Sequence, residues 1–262
     1  MDLDARYAFA ADVCRKAGQK ALGYFRDRSG LQIDQKGAQD WVSEADRDVE
    51  KLIREQIASS FPEDGIIGEE FGQTSGRSGL IWVIDPIDGT SNFVNGVPVW
   101  CVVLAGVAHG KTQIAVIYDA IHDEAFTALR GHGARLNDKL MTLGADKSIR
   151  DGTIAVGFSG RDNPQRVARL VEGILAEGGM LIRNASGAIS LAYVASGRYI
   201  GFVEEHMNAW DCLAGQLLIS EAGGRIEDQD ADAMIRDGGR VIGSAAEIFD
   251  ELRTLALNAW AE

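Results

Sequence analysis

The chain has 262 residues, 46% of them apolar and 25% charged, enough for one large domain or two intimately packed halves around a sizeable core. A formal net charge of −13 with no basic run argues against a nucleic-acid partner. No apolar stretch approaches membrane-span length, and the acidic, amphipathic start does not read as a signal peptide. The three cysteines are widely spaced with no Cys-x-x-Cys pair, so a cytoplasmic protein with reduced thiols is expected.

Leu3, Tyr7, Ala10, Cys14, Ala17, Ala21, Leu22 and Phe25 recur at helical spacing and predict a first amphipathic helix to about residue 28. A polar loop is expected from Ser29 to Asp40. Ser43-Glu44-Ala45-Asp46 reads as a helix start whose acids suit the dipole, and Val49, Leu52, Ile53 and Ile57 carry that helix to about Ser60. Pro62 and Gly65 break the chain before a short strand at Ile66-Ile67, which leads into Gly68-Glu69-Glu70. Gln73 to Gly79 is a connector.

Leu80 to Ile84 predicts a buried strand, followed at once by Asp85-Pro86-Ile87-Asp88-Gly89-Thr90-Ser91. Pro86 biases Asp85 toward an extended conformation, Gly89 allows close approach, and Thr90 and Ser91 are good helix starters. Trp100 to Val107, Gln113 to Tyr118 and Ala125 to Leu129 read as an antiparallel meander. Beyond a polar stretch from Gly144 to Gly152, strands and helices alternate: Thr153 to Phe158, Gln165 to Glu177, Met180 to Arg183, Ala188 to Ser196, Tyr199 to Val203 and Ala209 to Ala222. Short strands near Arg225 and Val241 precede a final helix from about Ala246 to Asn258. Glu227 to Asp232 reads as a solvated acidic loop. The pattern predicts a mixed α/β (α+β) fold, with residues 1–145 as an α+β half and 146–262 as an α/β half.

Two acids at the mouth of a sheet, followed by free N–H groups, suit hard cations together with an anion. The bland alternative is an Asp-Pro turn with solvated carboxylates. A calcium-binding EF-hand loop is excluded because Gly89 comes one residue early, and a haloacid-dehalogenase-type aspartate pair is excluded because Asp85 and Asp88 stand three apart rather than two. Four scattered histidines make a zinc site improbable. Taken singly, Asp46 reads as a helix-start acid, Glu69 as a loop acid and Asp211 as a cap after Trp210.

Trp82 through Phe93 resembles the signature of the inositol monophosphatase family. Gly68-Glu69-Glu70, Asn208-Ala209-Trp210-Asp211 with Glu221-Ala222-Gly223-Gly224, and the segment containing Lys36, Asp40, Val42, Ser43 and Asp46 resemble its other site regions in the expected order. The resemblance implies a layered αβαβα sugar-phosphatase fold and Mg²⁺-dependent hydrolysis of a small phosphate monoester by metal-activated water, most simply myo-inositol 1-phosphate. It implies metal ligation by Glu69, Asp85, the Ile87 carbonyl, Asp88 and Asp211 for two or three Mg²⁺ ions. It also implies water orientation by Thr90 paired with Asp46. Substrate contacts would come from Asp88, Gly89, Thr90, Ser186, Gly187 and Glu204, with Ser159 as a further ring contact and Ala185 where the family usually has glycine. Lithium sensitivity and a homodimer are family expectations. The alternatives are a histidinol-phosphate phosphatase, a fructose-1,6-bisphosphatase or nucleotide 3′-phosphatase, and a non-enzymatic regulatory binding protein, since some bacterial relatives are implicated in RNA-polymerase complexes.

Overall fold

A computed structural model describes residues 2–28, 32–37, 40–144, 148–160 and 162–261, with side chains at 35–42 outside the description. Lys36, Asp40 and Val42 of the N-terminal segment therefore lie outside the described side chains. The chain runs α1 (Leu3–Arg26), β1 (Ile33–Gly37), β2 (Asp40–Ser43), α2 (Glu44–Ser60), β3 (Gly65–Gly68), β4 (Gly72–Thr74), β5 (Leu80–Asp88), α3 (Thr90–Asn95), β6 (Cys101–Ala108), β7 (Lys111–Asp119), β8 (Glu124–Leu129), β9 (Ala134–Leu136) and β10 (Lys139–Leu140). It continues with β11 (Thr153–Val156), α4 (Pro164–Ala176), β12 (Met180–Ile182), α5 (Gly187–Ala195), β13 (Gly201–Met207), α6 (Ala209–Glu221), β14 (Arg225–Ile226), α7 (Ala231–Asp237), β15 (Gly239–Ser244) and α8 (Phe249–Trp260).

Among the described residues, β1 and β2 form a small hairpin, and the other strands form two sheets. One has eight strands in the order β10-β9-β8-β7-β6-β5-β3-β4, and the other has five in the order β12-β11-β13-β15-β14. Alternation along the strands sorts side chains into layers. Trp82, Ile84, Leu104, Val116 and Tyr118 face one way and pack on Val13, Ala17, Val49, Ile53 and Ile57 of α1 and α2. Val83, Val103, Ala105 and Ile117 face the other way, onto Leu191 of α5 and Leu213 and Leu217 of α6. The same cluster takes Ala155, Phe202 and Val241 from the second sheet, so α5 and α6 are sandwiched between the sheets. Ile154, Val203 and Ile242 point outward onto Leu170, Ile174, Leu252 and Ala256 of α4 and α8. The stack is helices, sheet, helices, sheet, helices, which is the layered αβαβα order. Trp82 and Trp100 are fully buried packing residues. No helix among the described residues is long and apolar enough to cross a membrane.

Several boundaries differ from those expected of the sequence. The loop read from Ser29 to Asp40 contains β1, and β9 and β10 close a hairpin where only polar turns were expected. β13 runs on to Met207, carrying Glu204 within the sheet. The acidic loop near residue 230 is not simply solvated. Asp230 caps α7 by accepting the Ala233 N–H at 2.8 Å. Glu227, only 8% exposed, is gripped by Arg240 and Arg253 at 2.6 and 2.9 Å. Those arginines lie 13 and 26 residues away, beyond any local pattern.

β5 departs most usefully, because it does not stop at Ile84. Asp85 pairs with Val103 and Asp88 with Cys101, so three steps on β5 oppose two on β6. That is a bulge at the proline, which has no N–H to give the ladder. In a regular strand, residues three apart point to opposite faces; the extra residue restores both acids to one side.

Candidate active site and metal centre

Asp85, Asp88 and Asp211 each offer a carboxylate oxygen, and these oxygens all lie within 4.8 Å of one another. Each acid is held by its own scaffold. Asp85 Oδ1 accepts the Ile87 N–H at 3.0 Å across the bulge. Asp88 Oδ2 receives the Ser186 hydroxyl, the Ala188 N–H at 3.0 Å and the Cys101 thiol at 3.7 Å, tying the end of β5 to the first turn of α5. Asp211 closes a capping box at the start of α6, its Oδ2 accepting the Asn208 backbone and side-chain N–H groups at 3.2 Å. Its capping role and its place in the cluster are thus compatible.

The same economy appears at Asp46. Its Oδ2 accepts the Ser43 N–H at 2.8 Å and the Ser43 hydroxyl at 2.6 Å, which starts α2. Its Oδ1 takes the Thr90 hydroxyl at 3.2 Å, and that hydroxyl also lies 3.0 Å from the Ile87 carbonyl. Gly89, at φ 93°, turns the chain from β5 into α3. A side chain there would also press on the Val99 carbonyl, so glycine meets both demands.

Glu69 stands beside the three aspartates rather than among them, its N–H donating to the Ile84 carbonyl at 3.2 Å. Its charge still reaches Asp85, whose carboxyl is pushed well above the usual range by burial first, then by Glu69, Asp88 and Asp211. Burial likewise raises Asp88, against the pull of Ser186 and Ala188, and raises Asp211 with Asp88 as its main charged neighbour. Like-charged carboxyls this close cannot all ionise without a compensating cation. The donors are hard oxygens with no sulfur or imidazole among the three, and the cluster is acidic and largely buried. That donor set fits Mg²⁺ and does not fit zinc.

Ser186 and Gly187 form the first turn of α5, directly over Asp88. Ala185, just before them, adopts φ 59°. Glu204 comes from β13, and burial pushes its carboxyl up to about 8, with Asp211 and Asp162 adding to the effect and Arg183 opposing it. Ser159 is engaged in a turn with Asp162, its hydroxyl 3.0 Å from that carboxylate. Three residues near the site escaped the sequence reading. Cys101 contacts Asp88, Asn92 bridges the Val99 and Asn184 carbonyls at 2.8 and 2.7 Å, and Glu50 is wholly buried beneath the Glu69 loop. Glu50 left a signal in the sequence as an acid within the apolar stripe of Val49, Ile53 and Ile57, and Asn92 lies inside the Trp82–Phe93 signature without a role assigned to it.

Residues 2–259 match the model of the inositol monophosphatase family. The chain is 37% identical over 241 residues to an inositol-1-monophosphatase of Rhizobium meliloti, covering 91% of each chain. It is 35% identical over 246 residues to a protein of Haemophilus influenzae called Nus factor SuhB, covering 93% of this chain and 92% of that one. The crystal structure of extragenic suppressor protein SuhB from Bartonella henselae superposes with a TM-score of 0.90 at 33% identity, over 96% of this chain and 98% of that one.

Proposed function

The chain belongs to the inositol monophosphatase family, and from that premise we propose that it hydrolyses a small phosphate monoester, myo-inositol 1-phosphate foremost. The observation that carries this reading is the convergence of Asp85, Asp88 and Asp211 within 4.8 Å of one another, with Thr90 and Asp46 paired at 3.2 Å nearby. Asp85, Asp88, Asp211, Glu69 and the Ile87 carbonyl would hold two or three Mg²⁺ ions. Bound there, Mg²⁺ would neutralise phosphate oxygens, activate the attacking water and stabilise the leaving alkoxide.

The chain's own groups do the rest. The Thr90 hydroxyl has its proton directed to Asp46 or to the Ile87 carbonyl, so an oxygen lone pair remains to accept a hydrogen bond from water and orient it. The Gly89 and Thr90 N–H groups would receive phosphate oxygens. Ser186 and Gly187 would flank the ester, and Glu204 would meet the hydroxyls of the alcohol. In this scheme residues 1–145 carry most metal ligands, and 146–262 carry Asp211 and the alcohol contacts. The three unpaired, buried cysteines suit a reducing cytoplasm, and the working assembly is taken as a homodimer, which light scattering tests.

Phosphate release is to be measured with Mg²⁺ and with EDTA from inositol 1-phosphate, histidinol phosphate, fructose 1,6-bisphosphate and 3′-phosphoadenosine 5′-phosphate. Dominant, EDTA-sensitive turnover of the first supports the reading, with millimolar Li⁺ expected to slow it. Dominance of histidinol phosphate moves the assignment to that phosphatase, with Glu204 facing an ammonium group. The relative called a Nus factor favours one second reading, a regulatory binding role. Absence of turnover with all four substrates, together with capture of RNA polymerase by the intact chain, would put that reading first.

A further inference from the structure

α2 carries two buried acids one turn apart, and they serve different neighbours. Asp46 faces Thr90, as described. Glu50, fully excluded from solvent, faces the turn between β3 and β4. Its Oε2 accepts the Glu70 N–H at 2.8 Å and its Oε1 accepts the Phe71 N–H at 3.3 Å. Arg54, one further turn along α2, donates to Glu50 Oε1 at 2.7 Å, and also reaches the Gly72 carbonyl and the Thr74 hydroxyl, the latter at 3.3 Å. Gly68 lies against the Glu50 carboxylate so closely that any side chain there would collide with it. Glu69 thus sits in a turn clamped from below by an ion pair and tied by its own N–H to the Ile84 carbonyl, next to Asp85.

We propose that Glu50, braced by Arg54, is a positioning residue that sets the backbone carrying Glu69 against Asp85. A buried carboxylate is costly unless its partners satisfy it, and an apolar side chain would dock α2 more simply. Besides Arg54, the partners Glu50 has are the backbone amides that follow Glu69. Through Asp46 and Glu50 a single helix face fixes both the Thr90 side and the Glu69 side of the site. This inference rests on the reading of Glu69 as a metal ligand.

The test is calorimetric titration of the full chain with Mg²⁺, with amide exchange over residues 66–74, for wild type, E50Q and G68A. Glu50→Gln keeps the volume but sets an amide NH₂ against backbone donors. Gly68→Ala displaces the turn from the other side, and it carries the test if E50Q does not fold. Both variants are expected to bind Mg²⁺ about tenfold more weakly, as is typical when a group supporting a ligand is lost. Exchange at Glu70 and Phe71 should be faster, with kcat at saturating Mg²⁺ little changed. Unchanged Mg²⁺ affinity in a folded variant, even one with a lowered Tm, overturns the inference and leaves the proposed function standing. A wild-type protein that binds no Mg²⁺ overturns both.

Discussion

Asp46 and Thr90 stand 44 positions apart in the chain, yet the threonine hydroxyl lies 3.2 Å from Asp46 Oδ1, joining the start of α2 to the start of α3. Asp46 is 1% exposed, and burial pushes its carboxyl up to about 6 in spite of the hydrogen bonds from Ser43. As an acceptor it needs to be ionised, so the acid limb of kcat is expected near pH 6, and Asp46→Asn is expected to remove it. The stability effect has the opposite sense. A raised acid pKa means stability that is fully present below about pH 4 and is lost as pH climbs through about 6, here by about 3 kcal/mol. Thermal melts of wild type and D46N between pH 4 and 7.5 check this; parallel curves would sink it.

The mutual repulsion of Asp85, Asp88, Asp211 and Glu69 gives a second expectation. Asp85→Asn keeps an oxygen for the Ile87 N–H, which donates at 3.0 Å, while removing the most crowded charge. Turnover should fall on the order of 10³-fold, the scale of several kcal/mol of lost transition-state stabilisation. The metal-free protein should melt higher than metal-free wild type, by roughly 2–4 °C for each kcal/mol of repulsion relieved. Wild type should melt higher with Mg²⁺ than with EDTA, and D85N should lose most of that difference. Equal wild-type melting in EDTA and Mg²⁺ would remove the case for a metal centre.

Much of this site could be read from the sequence because its parts are short and local. Ser43 and Asp46 form a capping box within four residues, and Asp85 to Thr90 is one short continuous segment from the end of β5 to the start of α3. The apolar periodicities of α1, α2 and the β6–β8 meander likewise announce themselves. What stayed hidden depends on register and on distant partners. Nothing local says that a bulge at Pro86 turns Asp85 and Asp88 to the same side, or that Cys101 on the next strand will meet Asp88. Glu227 read as solvated because its arginines come from β15 and α8.

Ala185 offers a test of strain beside the site. Its φ of 59° is a left-handed conformation that costs an L side chain about 1–2 kcal/mol and costs glycine nothing. Part of that gain is offset by the greater freedom of glycine in the unfolded chain. Ala185→Gly should therefore stabilise the protein by roughly 0.5–1 kcal/mol in urea unfolding. Destabilisation would mean that the Ala185 methyl makes packing contacts worth more than the strain.

Glu204 can decide between a neutral and a cationic alcohol. Burial, with Asp211 and Asp162 nearby, pushes its carboxyl up to about 8, so at neutral pH it is mostly protonated and able to donate to a sugar hydroxyl. An ammonium-bearing substrate wants the ionised form instead. If inositol 1-phosphate is the substrate, KM should be nearly flat from pH 6.5 to 7.5. If histidinol phosphate is, KM should fall as pH rises toward 8, because more Glu204 is charged. Glu204→Gln, permanently neutral, should abolish that dependence. The variant should also gain stability relative to wild type as pH rises from about 4.5 to about 8, the interval in which the unfolded wild-type chain ionises Glu204 while the folded one keeps it protonated. Truncation to alanine should cost kcat/KM for the preferred alcohol about 10- to 100-fold, the usual range for a lost hydrogen bond to a charged or buried polar group. It should cost far less for a small ester such as glycerol 2-phosphate, which offers Glu204 little to hold. Equal losses on both substrates would show that Glu204 shapes the site as a whole and does not read the alcohol.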